Sequence, residues 1–328
     1  MDTKITVITT VFNCEKFISS SVKSILSQTF TDFEYIIVND GSTDGTTEIL
    51  QNFSKQDKRI KLIELDRNYE RVISLNTALE KARGEYIAIQ DADDISMPDR
   101  LYIQSKFLDE NPGYVLVGAN ILIINEDEEI ISRPKRPRNN HELQFSLLFR
   151  CTFANPSLMY RKKIMDEFNL KYEEDFIHAE DFRLISKLSH KGKVFNLEKP
   201  LVKYRKHEQN NSKVNFDFLN NGSIIIVKEN LKELGFDINE EQIFRIRNLI
   251  SSKGIRKEFL YDDVNLVFNS IKAFKKKYHS EKNEEILFTL KRMLNWLGRR
   301  NIFSKYKYFA LYTSILNYYF KETIIRRI

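Results

Sequence analysis

Three aspartates, Asp91, Asp93 and Asp94, fall within four positions directly after the apolar run EYIAIQ at 85–90. Like charges this close repel, and burying them at a strand end is costly unless a cation compensates. Carboxylate oxygens suit a hard divalent ion, Mn2+ or Mg2+, which bridges one or two carboxylates to substrate phosphates rather than sitting in an all-protein cage. Taken alone, the cluster fits equally a solvated loop capping the helix after Pro98, because Asp and Ser are ordinary N-cap residues. Asp40 follows a second apolar run, FEYIIVN at 33–39, where its carboxylate either faces a ligand ring or stabilises the turn at 40–45. Thr10, Phe12 and Asn13 close the first apolar run, a place for backbone groups and an aromatic face to hold a base by stacking, or for packing. Glu180 and Asp181 open a helical pattern (Phe182, Leu184, Ile185, Leu188) and read by themselves as a capping pair. His207 alone reads as a surface histidine.

These groups need a scaffold that gathers strand ends. The first ~120 residues alternate β-branched runs with helical patterns, as parallel sheets with crossover helices do. Strands are expected at 5–11, 33–39, 60–64, 85–90 and 115–119. Helices are expected at 15–28, from 46 to about 55, at 72–82, and from Pro98 to about Asn111. In open α/β sheets, ligands bind beyond the carboxyl ends of the strands, where loops and helix N-termini converge. Both acidic clusters fall there. The segment 133–138 (RPKRPR) is a basic, proline-broken loop. From about Lys213 the strand signals fade into helical patterns rich in lysine and aromatics, which places a domain boundary there.

At 328 residues, 42% hydrophobic and 30% charged with six prolines, the chain has the composition of a folded protein with one large α/β domain and an addition. Cys14 and Cys151 are the only cysteines, too few for a disulfide framework or a multi-cysteine metal site, so a cytoplasmic setting is expected. The start MDTKI lacks the pattern of a secretory signal, and no apolar run approaches the ~20 residues that span a bilayer. The net charge of +6 has its excess in the second half, and would draw phosphates, nucleic acid or anionic lipid.

The segments ITVITTVFNCEKFISSSVKSILSQTFTDFEYIIVNDGSTDGTTEIL and ARGEYIAIQDADDISMPDRL, followed in order by NPSLMYRK, AEDFRLISKL and LVKYRKHEQN, resemble the family 2 glycosyltransferases of the GT-A fold across about residues 4–212. The resemblance implies an α/β fold, a GT-A (Rossmann-like) mixed, mostly parallel sheet flanked by helices with a C-terminal helical extension. Residues 1–212 would form the nucleotide-sugar-binding catalytic domain and 213–328 the helical region. It implies a metal-dependent inverting enzyme that moves a sugar from a nucleotide-diphosphate donor, a UDP-sugar first, to a saccharide or lipid-linked saccharide acceptor of a surface polysaccharide. Position by position, Thr10, Phe12 and Asp40 would hold the donor's base, Asp91 the ribose or sugar side, and Asp93 and His207 the Mn2+ or Mg2+, with Asp181 as catalytic base. Inverting transfer needs one such base to take the acceptor hydroxyl's proton. A carboxylate at the start of a helix is held ionised by the dipole. The chain departs from the pattern at Thr10, where proline is frequent, at Glu70, where glycine is usual, and at Asn155, where histidine is common. Arg71, beside Glu70, could reach the diphosphate.

Residues 291–328 interleave Trp296, Phe303, Tyr306, Tyr308, Phe309, Tyr312, Tyr318, Tyr319 and Phe320 with Arg299, Arg300, Lys305, Lys307, Arg326 and Arg327. That mixture fits contact with the inner membrane face, or a helical subdomain packing onto the core or a second subunit as a homodimer. Two other classes compete. A nucleotidyltransferase shares the architecture but would carry a glycine-rich phosphate loop after the first strand, which TTVFN at 9–13 is not. Nucleic-acid binding rests on charge and aromatics without a recognised motif, so no nucleic-acid partner is expected.

Overall fold

The computed structural model describes residues 3–208, 216–250, 261–278, 284–298 and 306–324. Four strands, β1 (Ile5–Val11), β2 (Phe33–Asn39), β3 (Ile60–Glu64) and β4 (Tyr86–Ile89), lie parallel, with β1 between β2 and β4. Every residue of β1, β2 and β4 is buried. Parallel strands flanked by helices bury both faces, which is why these segments read as unbroken apolar runs. The crossovers are α1 (Ile18–Leu26), α2 (Thr46–Gln56) and α3 (Arg71–Lys81). Val22 and Ile25 of α1 pack in the core with Val7, Tyr35 and Ile37 of β1 and β2, while α4 (Arg100–Glu110) adds Leu101 and Leu108.

Beyond β4 the sheet becomes mixed. The elements β5 (Ile95–Ser96), β6 (Tyr114–Ile124), β7 (Ile130–Ser132), β8 (Met159–Arg161) and β9 (Lys193–Arg205) complete nine strands in the order β3-β2-β1-β4-β8-β6-β9-β5, with β7 on β6. β8 is antiparallel to β4 and β6, and β9 is parallel to β6. The α/β sheet flanked by helices expected from the sequence is the one that forms. The long β9 matters most, because it carries the chain back to the end of β4 by pairing with β5. Between β8 and β9 come α6 (Lys162–Glu167) and α7 (Glu180–Ser189).

The chain divides into two compact units, residues 1–138 with 153–222, and 139–152 with 223–328. The single cut expected near 213 therefore has a companion excursion, α5 (Asn140–Leu147), whose residues group with the helices α8 (Phe216–Lys232), α9 (Glu240–Ile250), α10 (Tyr261–Tyr278), α11 (Glu284–Gly298) and α12 (Tyr306–Ile324). Phe145 and Phe149 are buried aromatics, and Phe145 meets Phe274 edge-on at 5.4 Å. Asn230 donates to the Leu147 carbonyl at 2.7 Å. Of the aromatic and basic residues singled out at 291–328, Arg299, Arg300, Phe303, Lys305, Arg326 and Arg327 lie outside the described residues. Tyr318 takes the edge of Phe268 at 5.5 Å within the helical unit, and Phe320 is exposed. Among the described residues, no helix is long and apolar enough to cross a membrane.

Candidate active site

The site grows from the end of β4. There the side chain of Gln90 turns back and its Nε2 donates to the carbonyls of Asp91 and Asp94 at 3.0 and 2.8 Å, closing the turn that presents the aspartates. Arg100, fully buried at the start of α4, locks this arrangement by donating to Gln90 Oε1, Ser96 Oγ and the Ile89 carbonyl at 3.0, 2.9 and 2.7 Å. Burial pushes the Arg100 pKa down to about 10, so this network holds a cation whose charge is costly to keep there. A buried polar network of this kind fixes geometry only when its members are paired, as these are.

On one side of the turn, Asp91 Oδ1 accepts from Arg71 Nη2 at 2.6 Å and from Asn155 Nδ2 at 3.0 Å. Arg71 Nε also faces Glu180 Oε1 at 3.1 Å. Arg71 opens α3 and Glu180 opens α7, so two helix starts and one strand end converge on a single guanidinium. Burial works against the Arg71 charge, yet the Asp91 and Glu180 carboxylates more than offset it and hold its pKa above the ordinary value. Burial raises Glu180, with Arg71 pulling the other way. Next to it, Asp181 accepts from the Phe182 N–H at 2.6 Å. Burial first, and the Glu180 carboxylate second, push Asp181 up to about 7, which suits a group that must accept a proton near neutrality.

On the other side, His207 Nε2 lies 2.8 Å from Asp93 Oδ2. Asp94 is fully buried; its Oδ1 accepts from the Arg205 N–H at 2.7 Å, while Oδ2 has no hydrogen-bond partner among the described residues. Burial, then Asp93 and Asp91, raise the Asp94 pKa well above the usual carboxylate range. The imidazole nitrogen and carboxylate oxygen that converge here are donors a divalent ion accepts, and no cluster of three or more candidate protein ligands forms among the described residues. Two protein ligands would suit a hard divalent ion that keeps most of its coordination sites for water and ligand oxygens.

The third part lies at the ends of β1 and β2. Asp40 is buried, bonds the Val11 carbonyl through its N–H at 2.8 Å and accepts from the Tyr69 N–H at its Oδ1 at 2.8 Å. Gly41 follows with φ 70°, and a Cβ there would lie 2.4 Å from the Arg67 carbonyl carbon, so this close approach requires glycine. Thr10 is buried and Phe12 is exposed, free to face a planar ring. Asn13 ties the two loops together, accepting from the Thr43 N–H at 2.8 Å and donating from its own N–H to Ser42 at 3.0 Å.

Residues 6–168 match the model of Glycosyl transferase family 2. An uncharacterized glycosyltransferase of Haemophilus influenzae is 33% identical over 273 residues, 79% of this chain and 84% of that protein. The chain belongs to glycosyl transferase family 2. This glycosyltransferase is also 32% identical to the O-antigen biosynthesis glycosyltransferase WbnJ of Escherichia coli over 213 residues, 64% of the chain and 82% of WbnJ. S. aureus TarS 1-349, solved in complex with UDP-GlcNAc, has the same fold at TM-score 0.59 and 19% identity, covering 97% of this chain and 92% of that one.

Within the glycosyltransferase, Asp91 and Arg71 meet directly, as do Asp93 and His207, while Thr10, Phe12 and Asp40 lie at the neighbouring strand ends. Three participants carry no role in the site when the sequence is read alone. Asn155 holds Asp91, Glu180 shares Arg71, and Arg205 binds the aspartate turn. Asn155 stood out only as a departure from the family pattern, and Glu180 only as half of a capping pair with Asp181. Nothing local distinguishes Arg205 from the surrounding basic residues of β9.

Proposed function

We propose that this glycosyltransferase is an inverting enzyme that transfers a sugar from a nucleotide-diphosphate donor, a UDP-sugar first, to a saccharide or lipid-linked saccharide acceptor of a surface polysaccharide. Donor binding and catalysis fall within residues 1–212, outside the segment 139–152 that groups with the C-terminal helices. The observation that carries this reading is the split of the acidic turn, with Asp91 neutralised by Arg71 and Asp93 left to His207. The first arm presents a fixed hydrogen-bonding wall to the donor, and the second offers two ligands to Mn2+ or Mg2+. A bound ion would neutralise charge building on the leaving diphosphate. Asp40, Thr10 and Phe12 hold the base, Asp40 through the carboxylate oxygen that Tyr69 leaves free. Asp181 takes the proton from the acceptor hydroxyl as that oxygen bonds to the anomeric carbon and the bond to the diphosphate breaks on the opposite face.

The choice of a UDP-sugar follows TarS, whose complex contains UDP-GlcNAc, and the surface-polysaccharide setting follows WbnJ. A lipid-linked acceptor would bring the enzyme to the inner membrane face as a peripheral protein. The aromatic and basic residues interleaved at 291–328, with Phe320 exposed on α12, are the side chains we assign to that contact. Calorimetry with UDP-, GDP-, dTDP- and CMP-sugars, with and without Mn2+, tests the core of the reading. Metal-dependent binding of one nucleotide class that Asp93→Ala abolishes supports it, and binding of none of them rejects it.

A further inference from the structure

Arg205 ends β9 with its side chain turned inward and is 1% exposed. Its Nε donates to the carbonyl of Asp93 at 2.9 Å, its Nη1 to the carbonyl of Glu126 at 2.8 Å, and its Nη2 to Glu128 Oε1 at 3.1 Å. Its backbone N–H binds Asp94 Oδ1 at 2.7 Å. The guanidinium lies 4.8 Å from the centroid of the Phe17 ring, and the His207 ring lies 5.0 Å from the same ring. One residue therefore grips the main chain of Asp93 and the side chain of Asp94, and shares an aromatic support with His207.

From this geometry we infer that Arg205, braced by Phe17 and Glu128, is a positioning residue that presets the separation of Asp93 and His207 for cation binding. The inference rests on the proposed metal role of that pair. Arginine is required because its planar fork reaches two carbonyls and a carboxylate at once. A lysine ammonium is a point donor on a flexible stem and cannot hold all three directions. The β6–β7 turn is part of the device. Glu128 sits at φ 66°, a backbone conformation rarely adopted by residues other than glycine, and its carboxylate forms an ion pair with the buried guanidinium. Groups behind a metal ligand set its orientation, and losing them weakens metal binding without removing a ligand.

The test follows free Mn2+ by electron paramagnetic resonance as it is titrated into the full chain, in parallel arms with UDP, GDP and dTDP. Wild type is compared with Arg205→Lys, Phe17→Leu and Glu128→Gln, and circular dichroism melts check folding. The expected result is a roughly tenfold weaker Mn2+ affinity in Arg205→Lys and Phe17→Leu and a smaller loss in Glu128→Gln, with metal-free nucleotide binding changed less than about twofold. Wild-type Mn2+ affinity in folded variants overturns the inference, as does an equal loss of metal-free nucleotide binding. If Arg205→Lys fails to fold, Phe17→Leu and Glu128→Gln decide. Wild-type protein that binds no Mn2+ in any arm rejects the metal reading beneath it, which is a separate outcome.

Discussion

Nη2 of Arg71 stands 2.6 Å from Oδ1 of Asp91, and the same guanidinium turns its Nε toward Glu180 at 3.1 Å. The cation sits between two carboxylates from distant parts of the chain, and Asp181 lies next in sequence to one of them. Its removal leaves the Asp91 and Glu180 carboxylates facing each other without a cation between them. Arg71→Met should therefore destabilise the protein by about 3 kcal/mol, because breaking a buried pair strands the remaining charge. Urea denaturation checks this, and Arg71→Lys should recover part of the loss. Arg71 also lowers the Asp181 pKa, so in Arg71→Lys, with its cation displaced, the acid limb of the pH–rate profile should move to higher pH.

Asp181 carries its own pH signature. Its folded pKa of about 7 lies above the ordinary value of 3.8, so its contribution to stability is fully present below that ordinary value and is lost as pH rises through about 7. Asp181→Asn should thus be stabilising by roughly 2 kcal/mol at pH 8 and near neutral in effect at pH 4, each pKa unit being worth ~1.4 kcal/mol before discounting for partial exposure. In its proposed role as base, Asp181 acts in its ionised form. Turnover should rise with pH up to about 7 in wild type, and Asp181→Asn should lose ~10²–10⁴-fold in kcat. A variant that keeps full activity and a flat stability difference between pH 4 and 8 would remove Asp181 from the reaction.

The parallel half of the sheet was legible because burial on both faces writes a continuous apolar run. The segments expected at 5–11, 33–39 and 60–64 are β1, β2 and β3 to the residue. β9 was not legible. Its sequence KVFNLEKPLVKYR is interrupted by Glu198, Lys199 and Pro200, where the pairing with β6 shifts register, so neither alternation nor an apolar run marks it as one strand. α5 was missed for a related reason, since Leu143, Phe145 and Leu147 alternate with Glu142, Gln144 and Ser146, a period of two within a helix. The acidic turn announced itself, but its partners come from tertiary pairing. Asn155 reaches Asp91 across 64 positions and His207 reaches Asp93 across 114, separations for which a single sequence has no local signal.

Glu70 departs from the glycine usual in the family, and the backbone shows what that costs. It takes φ 76° and ψ 152° at the cap of α3, a region that a Cβ makes unfavourable. Glu70→Gly should relieve strain and stabilise the protein by about 1 kcal/mol, read as a higher urea midpoint with an unchanged slope. An unaltered or lower midpoint would mean that the Glu70 side chain contributes more than its backbone loses.

The Asp93–His207 pair gives the sharpest separation between a metal ligand and a structural contact. If the 2.8 Å approach served only to tie β9 to the end of β4, His207→Gln would retain a hydrogen bond to Asp93 and keep most of the function. If the imidazole nitrogen instead binds the ion, glutamine is a poor replacement, because the ion loses a ligand of the set that holds the diphosphate. His207→Gln should then melt within a few degrees of wild type, since the lost contact is worth ~1 kcal/mol. Its half-saturating Mn2+ concentration should rise by roughly tenfold or more, and the rate at saturating metal should fall as well. Donor binding measured without metal should stay unchanged, because Asp91, Asp40 and the strand ends proposed to receive the nucleotide keep their own partners.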